Sequence, residues 1–172
     1  MIVCKICGSP VENHFRACHP FLPYELHPGP RAVDWDGRFL ELAQLVATWS
    51  KDPSTKVGSV IVDAKRRVLS VGYNGFPRGL PDDPATLAKR DAKLSMTVHA
   101  EMNAILNTGV PTSLEGATLY SSLYPCNECA KAIIQSGIAR VVTYAPTSAK
   151  WKVAHDTASQ MFDSAGVDVL IR

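Results

Sequence analysis

Long hydrophobic runs are missing from this 172-residue sequence, and none approaches the roughly 18 residues that a membrane-spanning helix requires. A strong charge of one sign is missing too. With 18 Lys and Arg against 16 Asp and Glu, the net charge is +2, which argues against a nucleic-acid-coating surface or a charged tail. The first residues hold no charged stretch leading into an apolar one, so no secretory signal is expected. No internal repeat occurs. Cysteines number only five, four of them in C-x-x-C pairs; that usage suits metal binding in a reducing compartment better than a disulfide framework. The redox alternative for Cys126 and Cys129 has no thioredoxin-like pattern around it. What remains is a cytoplasmic globular chain, 46% hydrophobic, the size of one domain with a small appendage.

Composition changes near residue 31. Residues 1–30 hold three of the five Cys, three of the five His and five of the twelve Pro. Each proline fixes φ and removes a donor, so apolar burial in regular elements cannot order this stretch. We read 1–30 as a Cys/His/Pro-rich extension and 31–172 as the main domain. In the latter, Trp35, Phe39, Leu42, Val46 and Trp49 recur at three- and four-residue steps behind Asp34, which predicts an amphipathic helix. "KVGSVIVD" and "RVLSVGY" predict an antiparallel hairpin. Residues 74–97 form a long Gly-, Pro- and charge-rich connection with a helical turn in "PATLAKRDAKL"; connections of that length are often functional.

The second half alternates. "TVHAEMNAILNTG" reads as a helix ending at Gly109 and "ATLYSSLY" as a strand. "PCNECAKAIIQSG" reads as a helix with Pro125 at its first position and Gly137 beyond its end. "ARVVTYA", "WKVAHDTASQMFDSAG" and "VDVLIR" add a strand, a helix and a strand. This β-α-β-α-β order predicts parallel strands with right-handed crossovers in a mixed five-stranded α/β sheet.

Cys126 and Cys129 are predicted in the first turn of their helix. The i, i+3 spacing places both sulfurs on one face, and the helix N-terminus favours thiolates. His99 is likewise predicted at a helix start. One His and two Cys leave a fourth position open to water, the pattern of a catalytic rather than a closed structural zinc. Glu101 lies about 200° around the helix from His99 and roughly 3 Å along it. It cannot share that ligand's direction, yet it can reach a water at the metal as a general acid/base. "HAE" at 99–101 followed by "PCNEC" at 125–129 matches the H-x-E…P-C-x-x-C pattern of zinc nucleobase deaminases.

Over about residues 35–145 the sequence resembles the cytidine deaminase superfamily, and within it the deoxycytidylate (dCMP) deaminases. The resemblance rests on "SKDPSTKVGSVIVD", "GYNGFPRG", "HAEMNAI" and "YPCNECAKAIIQSGI", in that order. It implies a three-layer α/β/α cytidine-deaminase-like fold and hydrolysis of dCMP to dUMP and ammonia. A zinc-activated water would attack C4 of cytosine while Glu101 protonates N3 and then the leaving amine. Asn74 and the Ala100 backbone would help hold base and sugar. Ser54, Lys56 and Arg78 are candidates for the phosphate, and Tyr124 for a wall of the base pocket. The resemblance also implies a homo-hexamer controlled by dCTP and dTTP with a divalent cation such as Mg2+. The sequence departs from the family after "GYNG", with Leu80 and Pro81 where a Gly-Cys-x-Asp-like continuation is usual in the effector segment.

If Cys126 and Cys129 belong to the catalytic zinc, Cys4 and Cys7 need other partners. Cys18 and one histidine (His19, or His14 or His27) would complete a structural Cys3His zinc site able to order a segment too small for its own core. Two other readings compete with a dCMP deaminase. One is another zinc-dependent base deaminase acting on cytidine, deoxycytidine, dCTP or tRNA adenosine. The other is a non-catalytic zinc-stabilised interaction protein, for which an unliganded Glu101 has no use.

Overall fold

"GSVIV" is apolar without alternation, the mark of a strand covered on both faces. The computed structural model describes residues 33–109, 114–146 and 149–172, and in it this run is strand β1 (Gly58–Val62), buried at all five positions. β1 pairs antiparallel with β2 (Val68–Tyr73) on one edge and with β3 (Thr118–Ser121) on the other. Strands β4 (Arg140–Thr143) and β5 (Asp168–Ile171) continue the sheet in parallel, giving the order β2-β1-β3-β4-β5. The hairpin, the parallel half and the mixed five-stranded sheet therefore stand as read from the sequence.

Strand alternation divides the core in two, because neighbouring side chains point to opposite faces. Val60, Val62, Tyr120 and Val142 pack with Phe39, Leu40, Ala43 and Val46 of helix α1 (Trp35–Ala47). On the other face Ile61, Leu119 and Val141 meet Ala104, Cys129, Ile133, Ala158 and Phe162. These last come from α4 (Ala100–Leu106), α5 (Asn127–Gln135) and α6 (Lys152–Ala165). The result is three layers, helix on sheet on helices. Asp36 ties α1 across to the sheet: its carboxylate accepts from Tyr120 Oη at 2.7 Å and from Arg140 at 2.9 and 3.0 Å.

Two glycines let helices lie directly on the sheet. A Cβ at Gly58 would sit 2.1 Å from the Ala43 carbonyl oxygen of α1. A Cβ at Gly72 would sit 2.2 Å from Ala104 N and 2.4 Å from Ala100 O of α4. No other residue permits that approach.

Several local expectations shift. Trp49 lies beyond the end of α1 and is half exposed, edge-on to Tyr73 at 6.1 Å. The 74–97 connection contains two short helices, α2 (Pro84–Ala88) and α3 (Arg90–Met96), separated by the extended backbone of Lys89. The helix predicted to reach Gly109 stops at Leu106, where the Asn107 N–H caps back onto Asn103 and Ile105 carbonyls. Pro125 is not the first helical residue; Cys126 is the cap and Asn127 begins α5. α6 is preceded by a 3-10 turn at Ala149–Trp151 and ends at Gly166, whose φ of 72° needs glycine's freedom. Among the described residues no helix is long and apolar enough to cross a membrane. Cys4, Cys7, Cys18 and His19, with the proposed structural zinc, lie outside the described residues.

Candidate metal centre and substrate cavity

His99 and Cys126 occupy equivalent places, each the N-cap of its helix. Both have extended backbone, with φ −70° and ψ 156° at His99 and φ −79° and ψ 172° at Cys126. An N-cap side chain ordinarily accepts a bond from its own helix, but neither does so here. They turn toward each other instead. His99 Nδ1 lies 3.4 Å from Cys126 Sγ and 3.3 Å from Cys129 Sγ. The approach of α4 to Gly72 and the antiparallel bridge between Gly75 and Val98 fix the chain just before His99.

Tetrahedral zinc with ordinary Zn–S and Zn–N lengths sets its N and S ligands about 3.6 Å apart. The observed separations are within a few tenths of an ångström of that, and the three ligand atoms lie within 4.8 Å of one another. One imidazole and two buried sulfurs are donors suited to zinc, so the residues present fit the ion. The bond from Cys129, and then His99, drives the Cys126 thiol down to about 3. Cys129, bonded to that thiolate and buried, is driven up. The bond to Cys126 raises His99 against its burial.

Glu101 is 4% exposed. Its Oε1 accepts from Ser121 Oγ at 3.2 Å and its Oε2 from Cys129 Sγ at 3.4 Å. Burial raises its pKa, opposed by its own backbone N–H and by His99. A carboxyl beside the three ligand residues, and not among them, is the arrangement expected of an acid/base group.

His99, Glu101 and Cys126 line a cavity of about 560 Å³. Of the predicted substrate residues, Ser54, Asn74, Ala100 and Tyr124 line it, whereas Lys56 and Arg78 do not. Lys56 is exposed, and Arg78 donates to Asn107 Oδ1 at 2.5 Å on the surface. Asn74 is largely spent on the frame: its Oδ1 accepts from Val57 N at 2.8 Å and its Nδ2 donates to Thr55 O at 2.9 Å.

Other lining residues escaped the sequence reading. Lys93 of α3 is 7% exposed and ion-paired to Asp52 Oδ1 at 2.9 Å, and it also donates to Ser54 Oγ. The same Asp52 oxygen accepts from Ser54 N at 2.8 Å, Ser54 Oγ at 2.9 Å and Thr55 N at 3.0 Å. That turn was legible in "DPST", but its distant lysine was not. Arg90, Lys150, Trp151 and His155 also line the cavity. His155 carried a signal, as a polar residue on the stripe that continues to Ala158 and Phe162.

Helix starts that bring an imidazole, a thiol and a separate carboxyl to the wall of one cavity, with a second thiol buried against them, define a zinc-hydrolase-type centre for a small molecule. The chain belongs to the cytidine and deoxycytidylate deaminase family, whose zinc-binding region matches residues 33–145. A probable deoxycytidylate deaminase of Drosophila melanogaster is 42% identical over 154 residues, spanning 84% of this chain and 75% of that one. The deoxycytidylate deaminase of Pongo abelii is 39% identical over 142 residues, 78% of each chain. The crystal structure of dCMP deaminase from the cyanophage S-TIM5 in complex with dCMP and dUMP superposes with a TM-score of 0.65 at 22% identity. It covers 86% of this chain and 100% of that one. At that identity the likeness is one of fold.

Proposed function

We propose that this chain hydrolyses dCMP to dUMP and ammonia. The observation that carries the reading is Glu101, buried against Cys129 and Ser121 beside the three metal-ligand candidates. His99 through Nδ1, with Cys126 and Cys129, would hold the zinc; when bound, the ion activates a water molecule as nucleophile. Glu101 takes the proton that water loses as its oxygen bonds to C4 and passes it to N3; it then takes the remaining proton of the C4 hydroxyl, as the carbonyl forms, and delivers it to the departing amine as the C4–N4 bond breaks. Ser121 keeps one carboxylate oxygen in place. The relatives' names supply the base, and the cavity supplies a reason for a monophosphate. Lys93, Ser54 and Arg90 line the same space, and among the described residues Arg90 pairs loosely with Asp91 at 3.8 Å. A phosphate dianion would find there a buried ammonium, a hydroxyl and an available guanidinium.

The division at residues 30 and 31, a structural zinc on Cys4, Cys7, Cys18 and a histidine, cytoplasmic location, and hexameric assembly under dCTP and dTTP control with Mg2+ belong to the same proposal. Metal content per chain tests the second zinc: replacing Cys4 and Cys7 should remove one equivalent and leave turnover. The reading as a whole is tested by assaying Glu101→Gln and the unaltered chain on dCMP, deoxycytidine and dCTP. Glu101→Gln should keep its zinc and lose about 10²–10⁴ in kcat. Equal rates on deoxycytidine and dCMP would refute the monophosphate.

A further inference from the structure

Among the described residues, one buried side-chain nitrogen has no hydrogen-bond partner, Nδ1 of His155. The imidazole is 6% exposed and lines the substrate cavity. Its neighbours on the same helical stripe, Ala158 and Phe162, are wholly apolar and fully buried. An apolar ring at position 155 would satisfy packing alone without stranding a nitrogen, since unmet buried polar groups destabilise a fold. Burial also lowers the His155 pKa, which keeps the ring neutral, with one donor and one acceptor nitrogen.

We propose that His155 is a base-binding residue that meets the pyrimidine ring of the bound nucleotide with a hydrogen bond the ligand-free protein leaves unmade. The inference rests on the dCMP reading above. The pyrimidine is favoured over the phosphate for two reasons. The imidazole packs edge-on against Tyr124, with ring centroids 5.3 Å apart, and Tyr124 lies two residues before the ligand candidate Cys126. Of the cationic lining residues, Lys93, which pairs with Asp52, and Arg90 both belong to a different element, α3, while Lys150 lies exposed in the 3-10 turn before α6. Trp151, one turn before His155, adds an aromatic surface to the same wall.

The test uses full-length, zinc-loaded protein carrying His155→Phe, His155→Asn or His155→Ala. It reads ligand-free Tm, the Tm shift produced by dUMP, zinc content, and kcat and KM for dCMP. Phe keeps the contact with Tyr124 and removes the stranded nitrogen, so ligand-free Tm should hold or rise with zinc unchanged. KM for dCMP should nevertheless rise about tenfold and the dUMP shift should shrink, because a hydrogen bond to the ligand is lost. Asn, which can donate and accept, should recover most of the affinity. If Phe and Ala both leave KM and the dUMP shift within twofold of the unaltered chain, His155 is a core histidine and the inference fails. Should Phe prevent folding, the comparison of Asn with Ala decides in the same terms. An unaltered chain that does not deaminate dCMP refutes the underlying reading, a result visible before any variant is made.

Discussion

Replacing Gly72 with alanine should dismantle the metal centre from a distance. The new methyl would lie 2.2 Å from Ala104 N, 2.4 Å from Ala100 O and 2.8 Å from Ala104 Cα. Ordinary carbon contacts need about 3.5 Å, so α4 must retreat by about 1 Å. All three obstructing atoms belong to helix backbone, which cannot rotate aside as a side chain can. The displaced helix begins at the residue after His99, whose Nδ1 stands 3.3 and 3.4 Å from the two sulfurs. Metal ligands tolerate departures of only about 0.2 Å. We therefore expect sub-stoichiometric zinc, a loss of about 10²-fold in kcat/KM, and a destabilisation of about 1–3 kcal/mol from overpacking. Zinc analysis of the purified variant, steady-state assay on dCMP and denaturant titration give the three numbers. Gly109→Ala is the control, since nothing lies within 4 Å of a Cβ there. A Gly72→Ala protein with full zinc and unaltered kcat would refute the argument that backbone contact at this glycine sets the position of His99.

Three further outcomes follow from the same geometry. Lys93→Met leaves Asp52 buried without its cation; both side chains are under a tenth exposed, so stability should fall by about 3–5 kcal/mol. KM for dCMP should rise while zinc content stays constant, and an unchanged melting curve would contradict this. Acid should weaken the fold through Asp36 and Asp52. Burial raises both carboxyls, but the bonds from Arg140 and Tyr120 at Asp36 outweigh it. At Asp52 the N–H groups of Thr55 and Ser54 and the Lys93 ammonium do the same. Each folded-state pKa is therefore depressed, so the stabilisation is complete above about pH 4 and is lost as pH falls through the depressed values. Denaturation midpoints measured from pH 7 to 2.5 should decline below that point, and a flat profile would exclude the two networks. Asp36→Asn should remove most of its own share of this decline, read as a shallower acid limb.

Repeated spacings carried most of what could be read without coordinates. The β-rich "KVGSVIVD" and "RVLSVGY" marked the hairpin, and the β-α-β-α-β order fixed the parallel half. His99, Glu101, Cys126 and Cys129 were recognisable because zinc chemistry restricts both residue type and local spacing. The helix ends were misplaced by two or three residues, since they depend on where a backbone N–H finds its partner and not on periodicity. Lys56 and Arg78 looked suited to phosphate by charge and family segment, yet the cavity lies elsewhere and Arg78 bonds Asn107.

What the sequence determined by itself was the class of chemistry, because a metal ligand set and its acid/base carboxylate are local patterns that survive without knowledge of distance. Only the tertiary structure decided how the cavity is walled. Lys93 reaches Asp52 from 41 residues away, and His155 faces a site whose ligand candidates lie at least 26 residues earlier. Such meetings arise from how close α4 can lie on Gly72 and from which faces of α3 and α6 the packed layers turn inward, quantities that no residue carries alone.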